Sequence, residues 1–214
     1  MLFRSLAGCE EHVGELARDV IAGASVLHVN TVMLLGEVST RTQNDAIETA
    51  RNAGRVVSVD LNFRRSLWRD LGQMVRAGRA LIRQAAILKM TEDELRDVAR
   101  NDTIPDCVRA IWHPDLRICA ITKGAAGAEL FTAEHHVAFS GFAVNAIDTT
   151  GAGDAFAASL LSDLTETAID LSSKTNLSHL LRRACAAGAI STTRKGGMES
   201  MPERIQINGL VCGA

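Results

Sequence analysis

The sequence contains no tyrosine, and its 214 residues include only six phenylalanines and two tryptophans. Basic residues are not in surplus either, because 23 lysines and arginines face 25 aspartates and glutamates, for a formal charge of −2. Nucleic-acid-binding surfaces need clustered positive charge, and many add aromatic rings on which bases stack. We therefore expect no nucleic acid among the partners of this protein.

Signals for membranes and export are also lacking. No run approaches the roughly 20 apolar residues of a membrane-spanning helix, and Glu10, Glu11 and His12 interrupt the N-terminal stretch that a signal peptide would need. The five cysteines are scattered without a Cys-x-x-Cys pair, so neither a zinc site nor a disulfide framework is indicated. These features predict a cytoplasmic protein with reduced thiols and no membrane partner.

The chain does have a regular alternation of β-branched runs and helical patterns, and no linker or repeat interrupts it. This predicts a single domain over residues 1–214 and an α/β fold, a doubly wound, mainly parallel sheet flanked by helices. The expected strands are 26–30, 55–60, 86–90 and 117–122, with two more within 128–144 as a hairpin or edge pair. The expected helices are 40–53, one through 71–82, one from Thr91, 152–165 and 177–193.

Ligands of such folds gather at the carboxyl ends of the strands. Polar clusters follow the predicted strands in four places, at 60–64, 89–91, 122–124 and from Asp148 onward. The agreement between the expected topology and these polar residues indicates a functional site at that edge of the sheet.

The strongest functional signal is the stretch DTTGAGDAF at residues 148–156. Glycines allow the N–H groups of residues 151–153 to converge, and the positive end of the following helix adds to them, so the turn suits a phosphate. Asp154 lies in the first helical turn, where it could take the proton of an acceptor hydroxyl. The alternative is that 148–150 only cap a helix, but the complete motif favours the phosphate site. It is not a dinucleotide fingerprint, because Phe156 takes the third glycine position, and no GxxxxGK[ST] loop occurs in the chain.

These nine residues resemble the C-terminal signature of the ribokinase-type (PfkB) carbohydrate kinases. Four further segments are similar to fructokinase-like members in order and spacing, namely 58–68 (SVDLNFRRSLW), 87–94 (ILKMTEDE), 121–127 (ITKGAAG) and 188–202 (GAISTTRKGGMESMP). The resemblance covers nearly the whole chain. It implies the ribokinase-like fold and an ATP-dependent kinase that phosphorylates a sugar hydroxyl.

The resemblance also implies roles for individual residues. It implies Asp154 as the catalytic base and an anion hole made by the amides of Gly151, Ala152 and Gly153. ATP would be bound by Lys89, Thr122, Gly124, Gly127, Gly151, Gly153 and Cys185. The sugar would be bound by Arg4, Arg64 and Asp154. Glu94 would organise Mg²⁺ through water, and Asp148 with Thr150 would hold a monovalent cation such as K⁺.

The residues alone leave simpler roles open. Thr91 and Glu94 have the spacing of a capping box, which is the better-supported role from spacing. Arg64 can be a solvated loop cation, the glycines at 124 and 127 can be turn residues, and Cys185 can be a small packed side chain.

One departure from the family pattern concerns the N-terminus. Family members begin with a strand, a Gly-Gly sugar-binding segment and a small β lid, none of which precedes residues 2–4 here, so we expect the chain to correspond to the C-terminal two thirds of the family fold. Two alternatives to a fructokinase-like enzyme stay open. A 2-keto-3-deoxygluconate kinase is one, because the segment 58–68 is similar to both kinds of kinase, and a catalytically silent nucleotide-binding remnant is the other, because of the missing N-terminal part. A homodimer is among the expected assemblies.

Overall fold

The computed structural model describes residues 15–213 and divides into two compact units, which meet in sequence between Arg117 and Ile118. The first unit contains, in chain order, α1 (Glu15–Gly23), β1 (Val26–Asn30), α2 (Glu37–Asn52), β2 (Val56–Asp60), α3 (Leu71–Ile82), β3 (Ile87–Thr91), α4 (Glu92–Val98) and α5 (Ile104–Ile111). The second contains β4 (Ile118–Thr122), β5 (Ala128–Phe131), β6 (His136–Phe139), α6 (Ala152–Glu166), α7 (Lys174–Ser191) and α8 (Arg204–Cys212). The fold is α/β, as predicted.

The strands of the first unit are parallel. β1 pairs with β2 so that Asn30 lies opposite Asp60, and β2 pairs with β3 so that Asp60 lies opposite Lys89. Side chains alternate between the two faces of a strand, and one face of β2 and β3 is apolar and fully buried, with Val57, Val59, Leu88 and Met90. The other face carries polar side chains, among them Ser58, Asp60 and Lys89, which is unusual for the buried strands of a parallel sheet. The polar residues of this face lie next to the predicted functional residues.

The strands of the second unit are antiparallel, which gives the fold a mixed strand pairing. β4 pairs with β5, placing Thr122 opposite Ala128, and β5 pairs with β6, placing Phe131 opposite His136. The pair expected within 128–144 is therefore a hairpin. α6 and α7 pack closely, because Gly188 has no side chain: a Cβ there would lie 3.2 Å from the Ala152 carbonyl oxygen.

Two predicted helix starts were wrong by three residues. α2 begins at Glu37 rather than residue 40, because the Thr40 N–H makes the first backbone hydrogen bond of the helix, to the carbonyl oxygen of the N-cap residue Gly36 at 2.9 Å. α7 begins at Lys174 rather than residue 177, because the side chain of Ser173 caps it. In the part of the chain that the structure describes, no helix combines the length and the apolar character that crossing a membrane requires.

Candidate active site

The turn before α6 has the geometry of an anion site. Gly151 is the N-cap residue at φ +83° and ψ −3°, in the left-handed region that favours glycine. Of the three amides predicted for the anion hole, that of Ala152 already donates to the Thr149 carbonyl oxygen at 3.2 Å. The predicted amide of Gly153 and the Asp154 amide next to it belong to the first turn, where a helix offers no intrahelical acceptor. The Asp154 side chain is exposed beside them. Together with the positive end of α6, these two amides can stabilise a negatively charged group.

Asp148 ties this turn to a later loop. One of its carboxylate oxygens accepts the Thr150 N–H at 2.9 Å, and the other accepts the Gly196 N–H at 3.1 Å. The pKa of Asp148 lies below its ordinary value of 3.8. Hydrogen bonds from Thr150 lower it most, followed by the bond from the Gly196 amide and then by the charge of Lys195. The Asp148 N–H in turn donates to the Thr192 carbonyl oxygen at 3.1 Å. The aspartate is therefore a carboxylate at neutral pH and holds two loops together.

The same loop forms a wall behind the glycine turn. A Cβ at Gly151 would lie 3.2 Å from both the Cα and the carbonyl oxygen of Gly197, and 3.4 Å from Cε of Met201. Two requirements therefore coincide at this position, a left-handed backbone and a space that is tight even for a methyl group.

Three of the residues predicted to bind the nucleotide lie at the end of β4 or in the loop after it, namely Thr122, Gly124 and Gly127. Gly127 has φ +88°, and a Cβ there would lie 1.9 Å from the Phe139 carbonyl oxygen, so only glycine fits. Gly124 has φ +57°, but a Cβ there would meet open space. Thr122 is half-buried at the end of β4. The two glycines thus have different reasons to be glycine, close packing in one case and backbone conformation in the other.

A charged cluster follows the same loop. Lys123 Nζ donates to one carboxylate oxygen of Glu129 at 2.9 Å, and His136 Nε2 lies 2.7 Å from the other. Cys185 of α7 is 8% exposed, and burial raises the pKa of its thiol to about 12 although the charge of Lys123 opposes the shift. Cys185 is therefore a protonated, packed thiol at neutral pH and not a nucleophile.

In the first unit, a buried ion pair joins the carboxyl end of β2 to the middle of β3. Lys89 Nζ lies 2.9 Å from Asp60 Oδ2, and the two side chains are only 8% and 4% exposed. The ammonium group predicted to bind ATP is thus already bound to a carboxylate of its own unit. Removing either partner would leave a buried charge uncompensated, which is strongly destabilising.

Glu94 forms the capping box that its spacing predicts. Its Oε2 accepts the Thr91 N–H at 2.7 Å, while the Glu94 N–H donates to the Thr91 hydroxyl at 3.2 Å. Its Oε1 accepts the Phe63 N–H at 2.6 Å. The carboxylate therefore stabilises the start of α4 and also holds the segment that follows β2.

Of the two arginines predicted to bind the sugar, Arg64 lies within the described residues. Arg64 is exposed after β2, and its carbonyl oxygen accepts the Leu67 N–H at 2.8 Å. Its guanidinium takes part in no ion pair within residues 15–213, whereas the neighbouring Arg65 pairs with Asp97 at 2.5 Å. Arg4 lies outside the described residues.

The residues present fit the expected ions to different degrees. Mg²⁺ prefers oxygen ligands and keeps several of its waters, and Glu94 suits a metal-bound water because each oxygen retains a lone pair beyond its N–H bond. No group of three or more metal-ligating side chains occurs in the described part of the chain. The carboxylate of Asp148 and the neighbouring Thr150 offer oxygen atoms that suit a monovalent cation.

Sequence reasoning missed several residues that shape these sites. Thr31 and Phe63 hold the segment after β2 by contacts that no local pattern signals. Gly197 could have been found, because the Gly-Gly pair at 196–197 follows a long helix and indicates close backbone packing.

Comparison with known proteins identifies the family. The model of the pfkB family carbohydrate kinases matches residues 5–204, so the chain belongs to that family. Fructokinase-2 of Solanum habrochaites is 33% identical over 189 residues, which cover 88% of this chain and 58% of that protein. The fructokinase of Solanum tuberosum is 34% identical over 200 residues, which cover 93% of this chain and 60% of that protein.

Solved structures agree with the family and the fold. A fructokinase from Vibrio cholerae O395 was determined with fructose, ADP and a calcium ion bound. It matches this structure with a TM-score of 0.79 at 30% identity, and the match covers 87% of this chain and 60% of the Vibrio cholerae chain. A fructokinase from Xylella fastidiosa with bound ATP has a TM-score of 0.83 at 22% identity, over 91% of this chain and 63% of its own, and supports the ribokinase-like fold. The chain spans 58% and 60% of the lengths of the two curated relatives named above.

Proposed function

We propose that this protein is an ATP-dependent sugar kinase of the fructokinase type. The observation that carries the proposal is the turn at 151–154, where a left-handed glycine opens α6 and the exposed carboxylate of Asp154 lies beside first-turn amides. Membership of the pfkB family supports the same reaction class. The proposed donor is ATP and the proposed acceptor is a hydroxyl group of a sugar.

In the proposed mechanism, Asp154 accepts the proton of the sugar hydroxyl while its oxygen attacks the γ-phosphorus of ATP in line. The bond from that phosphorus to the bridging oxygen breaks, and ADP leaves. The amides of Gly153 and Asp154 and the positive end of α6 stabilise the negative charge of the transferring group. Mg²⁺ would neutralise charge on the triphosphate, and Glu94 would hold one of its waters. Thr122, Gly124 and Gly127 would line the nucleotide, and Arg64 would bind the sugar.

Fructose is the proposed sugar. The curated relatives support it by name, and the Vibrio cholerae relative was determined with fructose bound. 2-Keto-3-deoxygluconate is the second candidate, because the segment 58–68 resembles both kinds of kinase. The carboxylate of 2-keto-3-deoxygluconate would need a cation to bind it, and the exposed guanidinium of Arg64 can supply that charge.

The test is sugar-dependent release of ADP from ATP and Mg²⁺, with each sugar in turn. We expect Asp154→Asn to lower kcat by about 10²- to 10⁴-fold, the usual contribution of a general base. Asp93→Asn is the matched control, because Asp93 is also an exposed carboxylate in the first turn of a helix, α4. It should keep wild-type turnover.

The outcomes separate the candidates. Turnover with fructose that Asp154→Asn abolishes supports the proposal, and turnover only with 2-keto-3-deoxygluconate replaces the substrate. No turnover, with ATP still raising the temperature of unfolding, would instead assign nucleotide binding alone.

We further propose that the protein acts in the cytoplasm. The described cysteines, at positions 107, 119, 185 and 212, are all free, which suits a reducing compartment. The binding of K⁺ at Asp148 and Thr150 and the homodimer stay predictions.

A further inference from the structure

The segment 60–64, here called the substrate arm, is fixed at successive residues before its exposed end. Asp60 is held by Lys89 Nζ at 2.9 Å, in a pair that is almost fully buried. The Leu61 N–H donates to the Lys89 carbonyl oxygen at 3.1 Å, and the Leu61 side chain is fully buried. Arg64, the last residue of the arm, is exposed.

The middle of the arm is equally constrained. The Phe63 N–H donates to Glu94 Oε1 at 2.6 Å, and the Phe63 ring occupies the space that a side chain at Gly78 would need, with Cζ only 2.4 Å from an ideal Cβ there. Between these anchors Asn62 has φ +42°, in the left-handed region, which costs free energy for residues that carry a side chain, although less for asparagine than for most. Contacts from the surroundings therefore help to hold this conformation.

Thr31 supplies that hold from the end of β1. It is fully buried, and its hydroxyl donates to the Leu61 carbonyl oxygen at 2.5 Å and lies 3.4 Å from the Asn62 carbonyl oxygen. Its own N–H also points to the Leu61 carbonyl oxygen, at 3.4 Å. The hydroxyl therefore acts at the peptide bond that leads into the left-handed residue.

We propose that Thr31 is a positioning residue, whose hydroxyl holds the left-handed backbone of Asn62 and thereby places the Arg64 guanidinium for the sugar. The proposal rests on the proposed function for the role of Arg64, but the hold on the arm does not depend on it. A rigid arm loses little conformational entropy when a ligand binds at its end, which favours binding.

Three variants test the role of the hydroxyl. Thr31→Val keeps the shape and removes the hydroxyl donor, which leaves the Leu61 carbonyl oxygen with only the longer bond from the backbone N–H of residue 31, at 3.4 Å. Thr31→Ser restores the hydroxyl donor. Thr42→Val is the matched control, because Thr42 is also buried and its hydroxyl donates to a backbone carbonyl oxygen, that of Val38, at 3.0 Å. Of the three variants, we expect only Thr31→Val to lower kcat/KM for the sugar, by about 5- to 100-fold. The loss should come from a higher KM for the sugar, with the KM for ATP unchanged.

A double variant shows whether Thr31 acts through Arg64. If it does, Thr31→Val should add little to the loss already caused by Arg64→Ala. Losses that simply multiply, or equal effects of Thr42→Val and Thr31→Val, would overturn the proposal.

A readout without turnover separates the proposal from the function it rests on. Hydrogen exchange of the Phe63 amide should be about 5- to 100-fold faster in Thr31→Val than in the wild type and in Thr31→Ser, as expected for the loss of one buried hydrogen bond. If the Phe63 amide exchanges faster in Thr31→Val but the wild-type protein phosphorylates no sugar, the positioning role of Thr31 is kept and the proposed kinase function is rejected. Unchanged exchange in a folded variant would reject the positioning role itself.

Discussion

At the scale of single residues, Gly151 decides whether the turn before α6 can form. Alanine there would meet both a left-handed backbone and the backbone of Gly197 at 3.2 Å, and Gly197 cannot move aside as a flexible side chain could. We expect Gly151→Ala to lower the free energy of unfolding by about 1–3 kcal/mol. We expect kcat to fall about 10²-fold, because the first-turn amides would shift.

Thermal unfolding and steady-state kinetics check this prediction, with Gly209→Ala as the control. Gly209 lies within α8, and a Cβ there would meet open space. That change should stabilise the helix by about 0.8–1 kcal/mol and leave turnover unaltered. A Gly151→Ala enzyme with wild-type kcat would show that the turn is not part of the site.

Residue roles were predictable from the sequence to the extent that they follow from local spacing. The capping box of Thr91 and Glu94 is such a case, because both partners belong to one helical turn. The same pattern could not show that Glu94 also accepts the Phe63 N–H, 31 residues away in sequence. The role of Thr31 could not be predicted for the same reason, because its partner, the Leu61 carbonyl oxygen, lies after β2 and 30 residues away in sequence.

At the scale of elements, the link between the turn before α6 and the loop after α7 depends on one carboxylate. Asp148 accepts the N–H groups of Thr150 and Gly196, and these bonds lower its pKa below 3.8. A carboxylate with a lowered pKa stabilises the folded state above its unfolded pKa and loses that contribution as the pH falls through the folded value. The link should therefore be intact at neutral pH and be lost in acid.

Asp148→Asn tests this, because an amide offers one acceptor oxygen where the carboxylate offers two. We expect the variant to be less stable than the wild type by a constant amount above about pH 5. The difference should shrink as the pH falls below 3.8, since the wild type then loses its own carboxylate. Urea unfolding across this pH range measures it, and a difference that stays constant into strong acid would refute the assignment.

Elements with a clear period were predicted well, and their ends less so. The hairpin of β5 and β6 follows from short apolar runs around polar residues. The starts of α2 and α7 were missed, because Gly36 and Ser173 initiate helices from outside the apolar pattern on which the prediction relied.

At the scale of the whole molecule, alternation of strands and helices was sufficient for the α/β class. It could not show that strand pairing changes from parallel in the first unit to antiparallel in the second, because hydrophobic runs do not encode strand direction. The position of the candidate site was predictable only in part. The clusters at 60–64 and 122–124 begin at the ends of β2 and β4, as expected in folds of this kind, whereas no strand ends at Asp148, because β6 ends at Phe139.

Ligand binding should protect the second unit as a whole, and its cysteines allow this to be measured. Cys119 is fully buried in β4, and burial raises the pKa of its thiol to about 12, so it reacts only when the structure opens. Cys212 is exposed and reacts in the folded state. If ATP binds the folded state alone, ATP at 100 times its Kd should slow the labelling of Cys119 about 100-fold, because opening then costs about 2.7 kcal/mol more.

Labelling of Cys212 provides the internal control, since it needs no opening and should keep its rate with and without ATP. Equal slowing at both cysteines would indicate that ATP inhibits the reagent rather than the opening. Labelling of Cys119 that ATP does not slow would show that the unit carrying the glycine turn does not bind the nucleotide, and the proposed kinase reaction would then lose its donor.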